Sequence, residues 1–286
     1  MIIVTGATGQ LGGAVVRRLL ERLPAGRVGV SVREPQKAAD LAAQGVRVRC
    51  GDFDDAASLA DAFADAEQVL LVSAATTGPD ALRQHRTAID AAVAAGARRI
   101  VYTSHMGADP TSPFAPMPDH AATEAMLRDS GVPFTALRNG FYASSGLMLL
   151  GRAEQTGEVA APEDGPVSWT AHADLAEAAA VVLTDEGRFD GPTPPLTGSA
   201  ALDLAGLAEV VAGAAGRPIR RAVVGDAQYR DSLVGHGVPE EAATMLVGLF
   251  AASRRGDFAA VDPTLENLLG RPPLTVRDLV AARTPA

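Results

Sequence analysis

The stretch IIVTGATGQLG, residues 2–12, is an apolar run followed by three glycines at three-residue spacing and then by LGGAVVRRLLERL, residues 11–23, with apolar side chains at helical period. Strand, glycine-rich turn and helix in that order form a phosphate-binding unit. The glycines allow a tight turn, let backbone N–H groups approach a pyrophosphate, and permit close packing of helix on strand. The helix N-terminus adds about half a positive charge toward the bound anion. Gly6, Thr8, Gly9, Gln10, Leu11 and Gly12 are the candidate contacts.

Further along, short apolar runs alternate with helical patterns. Strands are expected at 27–32, 46–51, 68–74, 99–104 and 134–139, and helices at 35–44, 56–64, 80–96 and 119–131. This alternation predicts a Rossmann-type α/β fold, a doubly wound parallel sheet with helices on both faces. After Asn139 the pattern loosens into a helical segment at 141–153, a turn-rich stretch, a clear helix before Gly187, a short strand at 195–199, a helix over 202–216, a strand at 219–224 and three further helical segments. The expected organisation is a nucleotide-binding domain over 1–145 and a smaller mixed α/β C-terminal lobe over 146–286. Helix 170–184 is expected to pack back on the sheet. Ligands of such sheets bind beyond the carboxyl ends of the strands, so the cleft between the lobes is the expected site.

Composition removes several function classes. A net charge of −9, with no basic run among aromatics, offers nothing to neutralise phosphates and argues against a nucleic-acid partner. Cys50 is the single cysteine, which excludes an internal disulfide and any multi-cysteine metal site, and it reads as a small buried side chain. No apolar run reaches the roughly 18 residues of a membrane span. The opening leaves no room for a secretory leader, so a cytoplasmic location is expected. The assembly stays open, a homodimer included.

The second strand ends SVREPQK, placing Arg33 where an NADP site carries an arginine for the 2′-phosphate and an NAD site an acid, with Lys37 one turn later. NADPH is therefore the expected cofactor, with Glu34 as a carboxylate in the same turn. Lys37 is the only lysine of the chain, and no tyrosine stands four residues before it. The Tyr–Lys couple by which classical short-chain dehydrogenases protonate a carbonyl is thus ruled out by counting.

GATGQLG at 6–12, VREPQKA at 32–38, LAAQGV at 41–46, GDF at 51–53, YTS at 102–104, HAATE at 120–124 and LRNGFY at 137–142 resemble the atypical short-chain dehydrogenases of the NmrA-like group. Within it they are most similar to the branch of NADPH-dependent quinone and triphenylmethane reductases. The likeness runs nearly end to end, through GVPE at 237–240 and LLG at 268–270. The resemblance implies Arg33 and Lys37 on the 2′-phosphate, Asp52 and Phe53 at the adenine, and Ser73, Ala74 and Ala75 along the ribose. It places Asn139, Gly140, Phe141 and Tyr142 at the nicotinamide. Glu34, and His172 where the group often has arginine, depart from its pattern.

In PDHAATEAML, residues 118–127, His120 and Glu124 occupy about the places of the missing Tyr and Lys. Three readings of the pair stand: His120 as proton donor, since histidine titrates near pH 7; half a metal site that lacks a third ligand; or an ordinary helix start with Asp119 as cap and Glu124 in solvent. Ser104 at a strand end is a second catalytic candidate, and no metal site is expected. Hydride transfer that needs little proton assistance suits such a site. The expected function is an NADPH-dependent reductase of quinones or similar flat conjugated acceptors, walled by Phe141, Tyr142, Met106 or Leu147. The alternatives are a non-catalytic NADP(H)-binding redox sensor and a reductase of a secondary-metabolite intermediate.

Overall fold

The computed structural model describes residues 1–283. In chain order its elements are β1 (Ile2–Thr5), α1 (Gln10–Leu20), β2 (Val28–Val32), α2 (Ala39–Ala43), β3 (Arg47–Cys50), α3 (Ala56–Ala62), β4 (Gln68–Leu71), α4 (Pro79–Ala94), β5 (Arg99–His105), α5 (Pro116–Asp129), β6 (Phe134–Asn139) and β7 (Phe141–Tyr142). There follow α6 (Ala143–Leu149), α7 (Ala153–Thr156), β8 (Glu158–Ala161), β9 (Trp169–Thr170), α8 (His172–Thr184), β10 (Gly191–Pro192), α9 (Leu204–Ala215), β11 (Arg220–Val223), α10 (Asp226–Gly235), α11 (Glu240–Arg254), α12 (Thr264–Leu269) and α13 (Val276–Ala281).

Seven strands form one sheet in the order β10-β6-β5-β4-β1-β2-β3, every pair parallel. The strand order reverses between β1 and β4, which opens a crevice at their carboxyl ends. The buried strands read as unbroken apolar runs because both faces are covered. On one face Val15, Val16 and Leu19 of α1 pack with Leu175, Ala179 and Val182 of α8. On the other lie Leu59 of α3, Ile89 of α4 and Leu127 of α5. Two buried polar side chains tie the end of α8 to the sheet: Gln68 Nε2 donates to the Leu183 carbonyl at 3.0 Å and Arg99 Nη1 to that of Val182 at 2.9 Å. Capping these last-turn carbonyls removes the cost of leaving them buried and unpaired.

A separate core gathers Phe114, Phe141, Trp169, Leu207, Phe250 and Phe258 around the paired strands β8 and β11 and β7 and β9.

Several expectations need correction. Cys50 is exposed, its thiol directed at the Arg33 carbonyl. The strand expected at 195–199 is only a bridge from Leu196 to Asn139, with β10 just before it. Pro194 and Pro195 have no N–H to continue the ladder. The helix expected at 35–44 is a tight turn over Pro35–Ala38 before the short α2, and the C-terminal part holds four helices where three were expected. Helix α5 begins at Pro116, so Asp119 lies inside its first turn and does not cap it. Its Oδ2 accepts instead from Gly78 N–H at 2.7 Å, at the start of α4.

Candidate functional site

The crevice between β1 and β4 is a cleft of about 350 Å3. Gly6, Thr8, Gly9, Arg33, Asp52, Phe53, Ser73, Ala74 and Ala75 line it, together with Ser31, Val72, Thr76 and Gln84, which sequence reasoning missed. Gly6 has φ +61°, a left-handed conformation that side chains disfavour. A Cβ on Gly12 would stand 2.3 Å from the Gly6 carbonyl oxygen, so the loop can rest on α1 only because that position is bare. Gly9, the N-cap of α1, supplies no side-chain cap, and the first N–H groups of the helix stay available to a ligand.

Arg33 is exposed at the edge of the cleft and makes no ion pair among the described residues. Lys37 is not part of the lining: its ammonium bonds the Glu34 carboxylate within the same turn. Ser31 Oγ is buried in the cleft wall without a hydrogen-bond partner, and the Asn139 side-chain oxygen at the end of β6 is likewise unpaired. Unpaired buried polar atoms cost about 1–3 kcal/mol each and mark places where a ligand group completes the bonding. A bare glycine cradle, an uncapped helix start, a free guanidinium and the unpaired Ser31 hydroxyl in the cleft wall fit an NADP-type dinucleotide.

The segment 73–75 hangs from two side chains behind it. Ser73 N–H donates to Thr103 Oγ1 at 2.8 Å and Ala74 N–H to His85 Nε2 at 2.9 Å. His85 Nδ1 lies 2.8 Å from Thr123 Oγ1. Burial pushes His85 down to about 4, so the ring is neutral and free to accept that amide. Sequence reasoning passed over His85 because its two partners, Ala74 after β4 and Thr123 on α5, are distant in sequence.

His120 and Glu124 do not act as a couple. Glu124 is buried, not solvated: Ser104 Oγ donates to its Oε1 at 2.6 Å, and Arg138 grips both oxygens, Nε at 3.0 Å and Nη2 at 2.7 Å. The trio locks β5, α5 and β6 together. It also commits the Ser104 proton, because a carboxylate is the stronger acceptor. His120 Nδ1 lies 2.8 Å from the Tyr102 hydroxyl, and its ring stacks 6.1 Å from His105. Burial pushes His120 down to about 3 and raises Tyr102. His120 is a neutral imidazole at pH 7, able to hydrogen-bond but not to act as the imidazolium acid expected from an ordinary histidine. Among the described residues no three His, Cys, Asp or Glu side chains cluster as a metal site.

The nicotinamide candidates divide. Gly140 is a packing position, where a Cβ would meet Thr170 Oγ1 at 2.2 Å. Tyr142 stacks on His172 with ring centroids 4.1 Å apart. Phe141 lines not the dinucleotide cleft but a second, largely apolar cavity of about 600 Å3, shared with Phe114, Met148, Leu149, Tyr229 and Leu249. Met106 and Leu147, expected as its wall, are buried in the core instead. The two cavities have no lining residue in common.

A family described as NAD(P)H-binding matches residues 6–186. The chain belongs to this family, in its NmrA-like group. Quinone oxidoreductase 2 of Escherichia coli strain K12 is 38% identical over 98% of both chains. The crystal structure of an NADPH-dependent quinone oxidoreductase from Escherichia coli in complex with NADPH superposes with a TM-score of 0.93, at 37% identity and 99% coverage of each chain. The triphenylmethane reductase of Citrobacter sp., complexed with NADP(H), gives a TM-score of 0.90 at 31% identity, over 99% of this chain and all of that one. The NAD(P)H-binding assignment drawn from the glycine loop therefore holds, and so does the resemblance drawn from the ordered motifs.

Proposed function

We propose that this chain is an NADPH-dependent reductase that passes hydride to a quinone or a comparably flat conjugated acceptor. The observation that carries the reading is a dinucleotide cleft with a bare glycine cradle and an unpaired Arg33 at its edge, in a chain whose single lysine rules out a Tyr–Lys couple. NADPH, when bound, supplies the hydride. The α1 N-terminus and Gly6–Gly12 loop hold the pyrophosphate, Arg33 the 2′-phosphate, Asp52 and Phe53 the adenosine, and the suspended segment 73–75 the ribose. Asn139 offers an unpaired oxygen to the carboxamide. Phe141 and Phe114 give a flat acceptor an aromatic floor, and the enzyme's contribution is mainly proximity and orientation. Reduction of a quinone leaves a stabilised hydroquinone anion, which water can protonate. Neutral His120, held by Tyr102, hydrogen-bonds the developing oxyanion without surrendering a proton.

The reading includes a nucleotide-binding domain over 1–145, a smaller lobe over 146–286 with α8 serving the sheet, a cytoplasmic setting and a homodimer. The relatives' named acceptors, quinones and triphenylmethane compounds, support the acceptor class. The deciding experiment mixes purified protein with NADPH and a panel of quinones and follows absorbance of the reduced cofactor. Oxidation by several flat acceptors is expected. Tight NADPH binding with no oxidation by any of them would overturn the reading in favour of a sensor.

A further inference from the structure

We propose that the apolar cavity selects flat acceptors that carry an acidic substituent, which pairs with Arg152. The inference rests on the reductase reading and names the substrate class of its second cavity. Among the side chains lining that cavity only Arg152 and Glu158 are charged. Glu158 is engaged by Arg220, whereas Arg152 makes no ion pair and no side-chain hydrogen bond among the described residues. Arg152, Glu158 and Arg220 together leave one positive charge at this rim. The exposed Glu154, two residues on, does not pair with it.

The guanidinium is free, but its backbone is not. The Arg152 carbonyl accepts from Gln155 N–H at 2.8 Å, Thr156 N–H at 2.9 Å and Thr156 Oγ1 at 3.2 Å. These bonds fix where the side chain departs while leaving all its donors unused. A planar fork of that kind matches a carboxylate or sulfonate edge to edge. The chain as a whole carries −9, which disfavours an approaching anion. At about 0.15 M ionic strength, however, charges beyond roughly 8 Å are largely screened, so an anion inside the cavity responds to the cation lining it. Flatness is then read by Phe114 and Phe141, and charge by Arg152.

Trp169 is the only tryptophan, and its ring meets that of Phe141 edge-on at 5.4 Å. Its fluorescence therefore reports cavity occupancy without turnover. Titration with a naphthoquinone and with its sulfonate is expected to show roughly threefold to fivefold tighter binding of the sulfonate, the size of an exposed ion pair. In Arg152→Gln the ratio falls to about one, and in Arg152→Glu below one. Raising the salt to about 0.5 M narrows the difference in the parent protein. An unchanged ratio in the variants overturns the proposal, as does the absence of quenching by either compound. Failure of the reductase reading shows separately, as quenching without oxidation of NADPH.

Discussion

The dinucleotide cleft is walled largely by backbone: a glycine loop, an uncapped helix start and a strand-end segment hung from Thr103 and His85. The apolar cavity is walled by side chains that four elements, α6, β8, α10 and α11, bring together with Phe114 and Phe141. A site of the first kind responds to charge and close approach, and one of the second kind to volume. Substitutions should therefore act on one cavity and spare the other. The largest effect is expected from Phe141→Ala. Phe141 touches the rings of His105, Phe114, Trp169 and Phe258. Emptying that place should cost about 3–5 kcal/mol in urea denaturation and abolish quenching of Trp169 by quinones. NADPH affinity, measured well below the unfolding transition, should change by less than about threefold. A parallel loss of NADPH would return Phe141 to the cofactor site and break the distinction.

Acid tests the wall behind the cleft. His85 is held at about 4 by burial, below its ordinary 6.5. The unfolded chain therefore binds a proton between those values that the folded chain refuses. The stability linked to His85 is whole above pH 6.5 and is lost as pH falls toward 4, by at most about 3 kcal/mol. His105 and His120, depressed by the same cause, act in the same direction. Denaturation midpoints should fall across that window, and His85→Asn should flatten part of the slope. NADPH affinity should fall with them, because protonated His85 can no longer accept from Ala74 N–H. An unchanged slope in the variant would show that His85 does not set it.

How much of this could be read from residues alone follows the same division. Gly6, Gly9 and Arg33 were legible because each stands at a strand end, a position that local periodicity predicts, whereas Asp52, Phe53 and Ser73–Ala75 came from the family resemblance. Ser31 escaped notice because its place in the cleft depends on Gly51, which has no Cβ to strike its hydroxyl. Glu124 and Arg138 were legible as residues but not as partners, since their bond joins a helix to a strand. Met148, 78% exposed at the cavity rim, carries no signal in sequence, because the cavity exists only once α10 and α11 fold over α6. The seven-stranded sheet was legible in all but its edge strand β10, whose proline-rich continuation cannot sustain a ladder.

Charge should dominate at the dinucleotide cleft. Arg33→Ala removes the one unpaired guanidinium at its edge among the described residues and should weaken NADPH about tenfold, the lower end for a charge-assisted contact because the side chain is exposed. NADH, lacking the 2′-phosphate, should change by less than about twofold. Equal losses, measured by titration of cofactor fluorescence, would refute the phosphate role. Neither value should alter quinone quenching of Trp169.

The smallest effect concerns Glu34, and its sign matters more than its size. In NAD sites an acid near the end of the second strand accepts from the ribose 2′-OH, so Glu34 could in principle favour NADH over NADPH. Its carboxylate instead bonds Lys37 within one turn, both side chains being at least half exposed. That pair neutralises the acid and withholds the ammonium. Glu34→Gln should release Lys37 toward a 2′-phosphate and tighten NADPH by less than about threefold, as exposed ion pairs rarely exceed about 1 kcal/mol. Lys37→Ala should weaken NADPH by a similar small factor, with NADH unmoved by either change. Weaker NADH binding in Glu34→Gln would mean that the carboxylate leaves Lys37 for the ribose when cofactor arrives, and that this turn serves both dinucleotides.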